Sequence, residues 1–176
     1  MAKFTETEIK GVYIIEPRVF NDDRGYFFES YNKKEFDLNI GNIDFIQDNQ
    51  SKSTYGTLRG IHFQKPPFAQ SKLVRVISGK VLDVAVDLRS DSETFLKHVA
   101  VELSAENQKQ LFLPKGFGHA FIVLSEEAIF AYKVDNWYSK ESEGGVRYDD
   151  KTLNIDWTVP ADKIVVSSKD ANLPRL

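Results

Sequence analysis

Short apolar or alternating runs, each bounded by turn residues, occupy most of the chain: "VYIIE", "GYFFESY", "IDFIQDN", "TLRGIHFQ", "KLVRVI", "KVLDVAVDL", "HVAVEL", "KQLFLP", "HAFIVL" and "AIFAYKV". Runs this short, with turns between them, build an all-β sandwich or barrel. Helical periodicity is confined to "NKKEFDLNIG", closed by Gly41, and "SAENQKQ", where Ser104 is placed to cap a single turn. Aromatic residues are 12% of the chain, Phe well ahead of Tyr and Trp, which favours strands over a helical bundle. With 176 residues, the chain is expected to form one domain over 1–176.

In "KVLDVAVDL", alternation puts Leu82, Val84, Val86 and Leu88 on one face and Val81, Asp83, Ala85 and Asp87 on the other. One face is expected to pack and the other to look into something polar. "SGK", Ser78 to Lys80, has a length suited to a tight hairpin with Gly79 at its turn. The tail "SSKDANLPRL" reads as loosely structured.

The chain contains no cysteine, which excludes disulfides, thiolate metal sites and cysteine nucleophiles and suits a reducing cytoplasm. Its net charge is −3 and Lys and Arg are scattered, so no nucleic-acid partner is expected. Nothing resembles a signal peptide or a spanning helix, so the expectation is a soluble cytoplasmic protein with no membrane partner.

Three stretches can carry chemistry. In "LRGIHFQ" His62 stands near Arg59, and an imidazole there can be a base, a metal ligand or a core residue. On an ideal strand Arg59, Ile61 and Phe63 share one side and Leu58, Gly60, His62 and Gln64 the other, with Gly60 leaving space beside the imidazole. In "LPKGFGHAF", Pro114, Gly116 and His119 form P-x-G-x-x-H, which resembles the second motif of the cupin barrels. Metal-binding cupins have H-x-H and a following Glu in the first motif, where this chain has "GIHFQ"; two imidazoles without that carboxylate make a poor metal site. In "AIFAYKVDNWYS", alternation points Tyr132 inward with Phe130 and Val134. Lys72 opens "KLVRVI", and arginines facing the same cavity would suit an anion such as a diphosphate.

These stretches resemble the dTDP-4-dehydrorhamnose 3,5-epimerase family over nearly the whole chain. "EPRVFNDDRGYFFESYN", "QDNQSKS", "LRGIHFQ", "KLVRV", "DVAVDLR", "LSAEN", "LPKGFGHAF", "YKVDNWYS" and "SSKD" follow in family order. The resemblance implies a cupin-type jelly-roll barrel with a few short helices and N- and C-terminal extensions. It further implies a homodimer that needs no metal or organic cofactor and acts on dTDP-4-dehydro-6-deoxy-glucose on the route to dTDP-rhamnose. Residue by residue, it makes His62 the general base, Asp170 the carboxylate behind it, Lys72 the partner of the C4 oxygen and Tyr132 the general acid. It assigns nucleotide and sugar binding to Arg24, Glu29, Gln47, Asp48, Asn49, Arg59, His119, Tyr138, Glu143 and Lys169, with Arg59 reaching the diphosphate in the partner subunit's site. Ser71, the small residues around His119 and Tyr148 depart from the family pattern without removing a chemical group.

The assigned residues suit the chemistry. A hydrogen beside a ketone becomes acidic when the enolate oxygen is stabilised, and inversion needs protonation from the opposite face. Three rivals remain at this point. A monofunctional 3- or 5-epimerase would use the same base, a non-catalytic sugar-binding barrel would lack one of the four central residues, and a metal-dependent cupin would carry stoichiometric metal.

Overall fold

In the computed structural model, which describes residues 1–176, the short runs become strands of two antiparallel sheets. In chain order the elements are β1 (Lys3–Glu6), β2 (Tyr13–Glu16), β3 (Phe20–Asp22), β4 (Gly25–Phe27), α1 (Lys33–Asn39), β5 (Gln47–Thr54), β6 (Leu58–Gln64) and β7 (Lys72–Ser78). They continue with β8 (Lys80–Asp87), β9 (His98–Ser104), β10 (Gln110–Leu113), β11 (Phe117–Val123), β12 (Glu127–Val134), β13 (Glu143–Gly145) and α2 (Ser168–Ala171). One sheet runs β1-β2-β10-β7-β12-β5 and the other β13-β6-β11-β8-β9, with β3 and β4 forming a separate hairpin. The two sheets face each other as a cupin-type jelly roll.

Val74, Val76, Leu111 and Phe130 of the first sheet pack against Val81, Val101, Leu103 and Phe121 of the second. Phe121 and Phe130 stack across the gap with centroids 4.1 Å apart. The outer faces are covered too. Val146, Leu153, Trp157 and Val159 lie over Leu58, Leu82, Val84 and Ile122. Phe36 of α1, with Phe4, Tyr31 and Phe45 around it, covers Ile15, Leu73 and Phe112. Each such large side chain taken out of water contributes about 1.5–3 kcal/mol, so these coverings hold the segments on either side of the jelly roll. They also explain β8: Val81 to Asp87 are buried on both faces, not on one as the alternation suggested.

The helix α1 starts where Asn32 accepts a hydrogen bond from the Glu35 N–H, and it presents Phe36 to the sheet. It ends before Gly41, whose φ of +120° only glycine adopts readily. The segment around Ser104 forms a turn rather than a helix; the Ser104 hydroxyl still accepts the Asn107 N–H at 3.0 Å.

Three further expectations are corrected. Residues Ser78 to Lys80 do not close a hairpin: β7 belongs to the six-stranded sheet and β8 to the five-stranded one, so the chain crosses between sheets at Gly79. A Cβ there would fall against Ser125 Oγ and the Glu127 carbonyl, so a tight corner takes the place of a two-strand turn. The strand expected in "IDFIQDN" starts only at Gln47 and continues through the polar "QSKST", because β5 is an edge strand pairing with β12 alone. The tail is ordered: Ser167 caps α2 by accepting the Asp170 N–H, and Asp150 accepts the Leu176 N–H at 2.9 Å.

The correction that matters most lies in β6. Residue His119 of β11 pairs with His62, but Phe121 pairs with Arg59, so two residues of β11 span three of β6. This bulge resets the alternation and brings Arg59 and His62 to one face instead of opposite faces. Gly60 sits within it at φ +126°, where a Cβ would collide with Ala120 and lie 2.5 Å from the His119 carbonyl oxygen. The space beside His62 is therefore filled by β11; Gly60 is there for close strand approach, not to admit a ligand.

Candidate active site

A cavity of about 620 Å³ opens between the sheets. His62 and Arg59 from β6 and His119 from β11 line one wall; Lys72 from β7 and Tyr132 from β12 line the other. Asn49 of β5 and Lys169 and Asp170 of α2 complete it.

Asp170 is buried and reaches the back of His62, its Oδ1 2.7 Å from Nε2, while its Oδ2 takes the Gly60 N–H at 3.3 Å. An ionised carboxylate only accepts, so the imidazole hydrogen sits on Nε2 and the lone pair on Nδ1. The bulge supplies this second donor: turning the Gly60 N–H toward Asp170 fixes the carboxylate that fixes the ring.

Burial pushes the Lys72 ammonium down to about 8, against the opposing pull of Asp83. It stays largely protonated at pH 7 and titrates just above. Burial raises the Tyr132 phenol above its ordinary value, with Arg59 opposing, so the hydroxyl keeps its proton near neutrality. Burial lowers the His119 imidazole despite Asp83, whose oxygens lie 2.9 and 3.2 Å from Nε2. The Arg59 Nε donates to Ser53 Oγ at 3.1 Å.

Other expected residues stand around the rim or apart. Asn49 Oδ1 accepts from Gln47 Nε2 at 2.8 Å, so Gln47 acts on the cavity through its neighbour. Asp48 turns away to pair with Lys133. Lys169 donates to Glu143 at 2.5 Å, and the Tyr138 hydroxyl donates to Glu143 at 3.3 Å, forming a polar chain beside His62. Lys169 holds the Glu143 carboxyl below its ordinary value and is itself raised by it. Arg24, on the exposed β3–β4 hairpin, pairs with Asp22, and Glu29 accepts from Asn32; neither lines the cavity of its own chain.

A family profile described as dTDP-4-dehydrorhamnose 3,5-epimerase matches residues 6–176. The chain belongs to this epimerase family. The dTDP-4-dehydrorhamnose 3,5-epimerase of Shigella flexneri is 54% identical over 168 residues, covering 95% of this chain and 92% of that protein. The crystal structure of the epimerase from Elizabethkingia anophelis NUHP1 superposes with a TM-score of 0.96 at 55% identity, over 99% of this chain and 96% of that one. The dTDP-6-deoxy-D-glucose-3,5-epimerase of Legionella pneumophila, solved in complex with dTDP-4-keto-L-rhamnose, matches with a TM-score of 0.94 at 42% identity, over 100% and 99% of the two chains.

Two elements of this epimerase site escaped the sequence reading. Asp83 stands behind His119, and its signal was present as a carboxylate on the inward face of β8. The Gly60 N–H had no local signal, because it depends on a bulge defined by the neighbouring strand. Arg59 lines the cavity of its own chain.

Proposed function

We propose that the protein inverts C3 and C5 of dTDP-4-dehydro-6-deoxy-D-glucose to give dTDP-4-dehydro-L-rhamnose, with the residues of this cavity carrying each step. The observation that carries the reading is the opposition of an oriented imidazole on one sheet and a protonated tyrosine on the other, with an ammonium beside the tyrosine.

His62 Nδ1 takes the hydrogen from the carbon next to the C4 ketone, and Asp170 stabilises the imidazolium that results. The electron pair moves to the C4 oxygen, where the Lys72 ammonium compensates the enolate charge. Tyr132 then delivers a proton to the other face of the carbon, the ketone re-forms and the centre is inverted. Both carbons flank the same carbonyl, so one set of groups serves both inversions after the sugar turns in the cavity. A positioned base typically contributes about 10²–10⁴-fold, and an oxyanion partner about 10²–10³-fold. In this reading Arg59 and Lys169, which line the cavity, bind the diphosphate as forked and point cations respectively.

The working unit in this reading is a cytoplasmic homodimer. Its support is the β3–β4 hairpin, which exposes Phe20, Tyr26 and Phe27 and carries Arg24 away from its own chain's cavity. An exposed aromatic hairpin of this kind suits a second copy of the chain.

Proton NMR of dTDP-4-dehydro-6-deoxy-glucose with the enzyme in deuterium oxide, following the C3 and C5 hydrogens, tests the reaction. Loss of both signals with the wild type, and of neither with His62→Ala, is the expected result. Loss of one signal would mean a monofunctional epimerase, and loss of neither with the wild type would reject the substrate.

A further inference from the structure

Gln64, the last residue of β6, is buried and lines neither the cavity nor the hollow beside His62. Its side-chain amide makes three hydrogen bonds, all to main-chain groups outside its own strand. Nε2 donates to the Phe68 carbonyl at 2.7 Å and to the Trp137 carbonyl at 3.0 Å, and Oε1 accepts the Ser139 N–H at 2.7 Å. The Trp137 carbonyl and the Ser139 N–H belong to the two peptide groups that flank the Tyr138 Cα. One buried amide therefore fixes both peptide planes around Tyr138, as a neighbouring strand would.

Other side chains tie the same two loops together, but earlier in the chain. Asn136 Nδ2 donates to the Pro67 and Ala69 carbonyls at 3.0 and 3.3 Å, Gln70 Nε2 donates to the Asn136 carbonyl at 2.8 Å, and Asp135 Oδ1 accepts the Ser71 N–H at 2.6 Å. The bonds around Tyr138 itself come from Gln64. On this fixed backbone the Tyr138 side chain stands in solvent, 60% exposed, with its hydroxyl donating to Glu143. Glu143 is the residue that β13 places opposite Gln64, so main chain and hydroxyl of Tyr138 are both referred to one position of the strand that carries His62. A large ring left in solvent on a backbone held from both sides is a preorganised stacking face, which needs little further ordering when a ligand arrives.

We propose that Gln64 is a positioning residue for nucleotide recognition: by bonding both peptide groups around Tyr138, it sets where that ring stands to receive the base of a nucleoside diphosphate. The proposal rests on the epimerase reading for the ligand and adds that the nucleotide end of the site is indexed to the proton-abstracting end through β6. Gln64 touches neither base nor sugar in this account.

A double-mutant cycle of Gln64→Met and Tyr138→Ala tests it, with dTDP affinity measured by titration calorimetry and turnover of the nucleotide sugar by steady-state kinetics. Gln64→Met should weaken dTDP about three- to ten-fold and raise KM by a similar factor, with kcat changed less than about two-fold. In the Tyr138→Ala background the same substitution should move dTDP affinity less than about two-fold, because the ring it positions is gone. Gln70→Met removes one bond between the same loops without touching the peptides around Tyr138, and should leave dTDP affinity within about two-fold of wild type.

Equal weakening with and without the Tyr138 ring, a loss in Gln70→Met as large as in Gln64→Met, or unchanged dTDP affinity in Gln64→Met overturns the proposal. Amide hydrogen exchange of Ser139 in the wild type tests the same bracket whether or not the variants fold: protection of at least about ten-fold supports it, and exchange at the rate of an exposed chain overturns it. A wild type that binds dTDP and passes the cycle but does not turn over the sugar leaves the role of Gln64 standing and rejects the epimerase reading. A wild type that does not bind dTDP overturns both.

Discussion

Replacing Lys72 by methionine should make the protein more stable while disabling it. The ammonium is held in the interior at about 8 against an ordinary 10.5, so its charged form is disfavoured by folding. At full burial that difference corresponds to about 3 kcal/mol. The side chain borders an open cavity, where water screens part of the cost, so about 1–3 kcal/mol is the expected gain at pH 7 for a neutral side chain of similar length. For a chain of this size that is about 2–4 °C in Tm per kcal/mol. The sign with pH follows from proton binding. Between pH 8 and 10.5 the unfolded chain holds the Lys72 proton and the folded chain has lost it, so wild-type stability rises with pH through that window relative to the variant. The stability gap between Lys72→Met and wild type should therefore be largest below pH 8 and close toward pH 10.5. Urea unfolding of both proteins at pH 7, 8, 9 and 10, read by tryptophan fluorescence, measures it. Turnover should fall at least about 10²-fold, as expected for loss of an oxyanion partner. A variant less stable than wild type at pH 7, or a gap that does not change with pH, would refute the claim that Lys72 is a charge held in the interior at a cost.

Three other outcomes follow from the same geometry. Asp170→Asn would offer an amide N–H to His62 Nε2, moving the ring hydrogen to Nδ1 where the base must be, so kcat should fall about 10²–10⁴-fold with KM nearly unchanged in steady-state kinetics. Gly60→Ala would place a methyl group on Ala120 at a positive φ; circular-dichroism melting should show a loss of about 1–3 kcal/mol, and wild-type stability would contradict the assigned role of the bulge. Asp87, buried at the end of β8, is disfavoured by burial but accepts from Arg89, Ser92 and Thr94, which together hold its carboxyl well below the ordinary carboxylate range. That contribution is present above about pH 4 and is lost as pH falls further, so Asp87→Asn should lower stability by about 2–4 kcal/mol at neutral pH and make acid unfolding shallower.

The fold was legible where one strand's own pattern sufficed. Tyr132 points inward with Phe130 and Val134 as alternation requires, and α1 occupies "NKKEFDLNIG" with Asn32 as its cap. It was illegible where a neighbour decides. The bulge that turns Arg59 to the side of His62 exists because β11 spans three residues of β6 with two, and no pattern within "LRGIHFQ" encodes the count on the other strand. Likewise the strand expected in "IDFIQDN" is displaced into the polar "QSKST", because an edge strand needs no apolar alternation and its extent is set by the ladder to β12. The tail looks unstructured by composition, yet Asp149 and Asp150 hold Arg175 and the Leu176 N–H across a long sequence gap. His62, Lys72, Tyr132 and Asp170 could be named through family resemblance, while local spacing alone left His62 open among base, ligand and core residue. Asp83 was visible as a charge within β8, but its partner His119 lies on a different strand and could not be read from the run itself.

The central claim is that proton removal and proton return come from opposite sheets. Tyr132→Phe tests it directly, with the C3 and C5 hydrogens and the configuration of each carbon followed together by NMR in deuterium oxide. Because His62, Asp170 and Lys72 are untouched, deuterium should enter at the carbon while its configuration is retained. Inversion at the wild-type rate by this variant would remove Tyr132 from the mechanism and contradict the two-wall account.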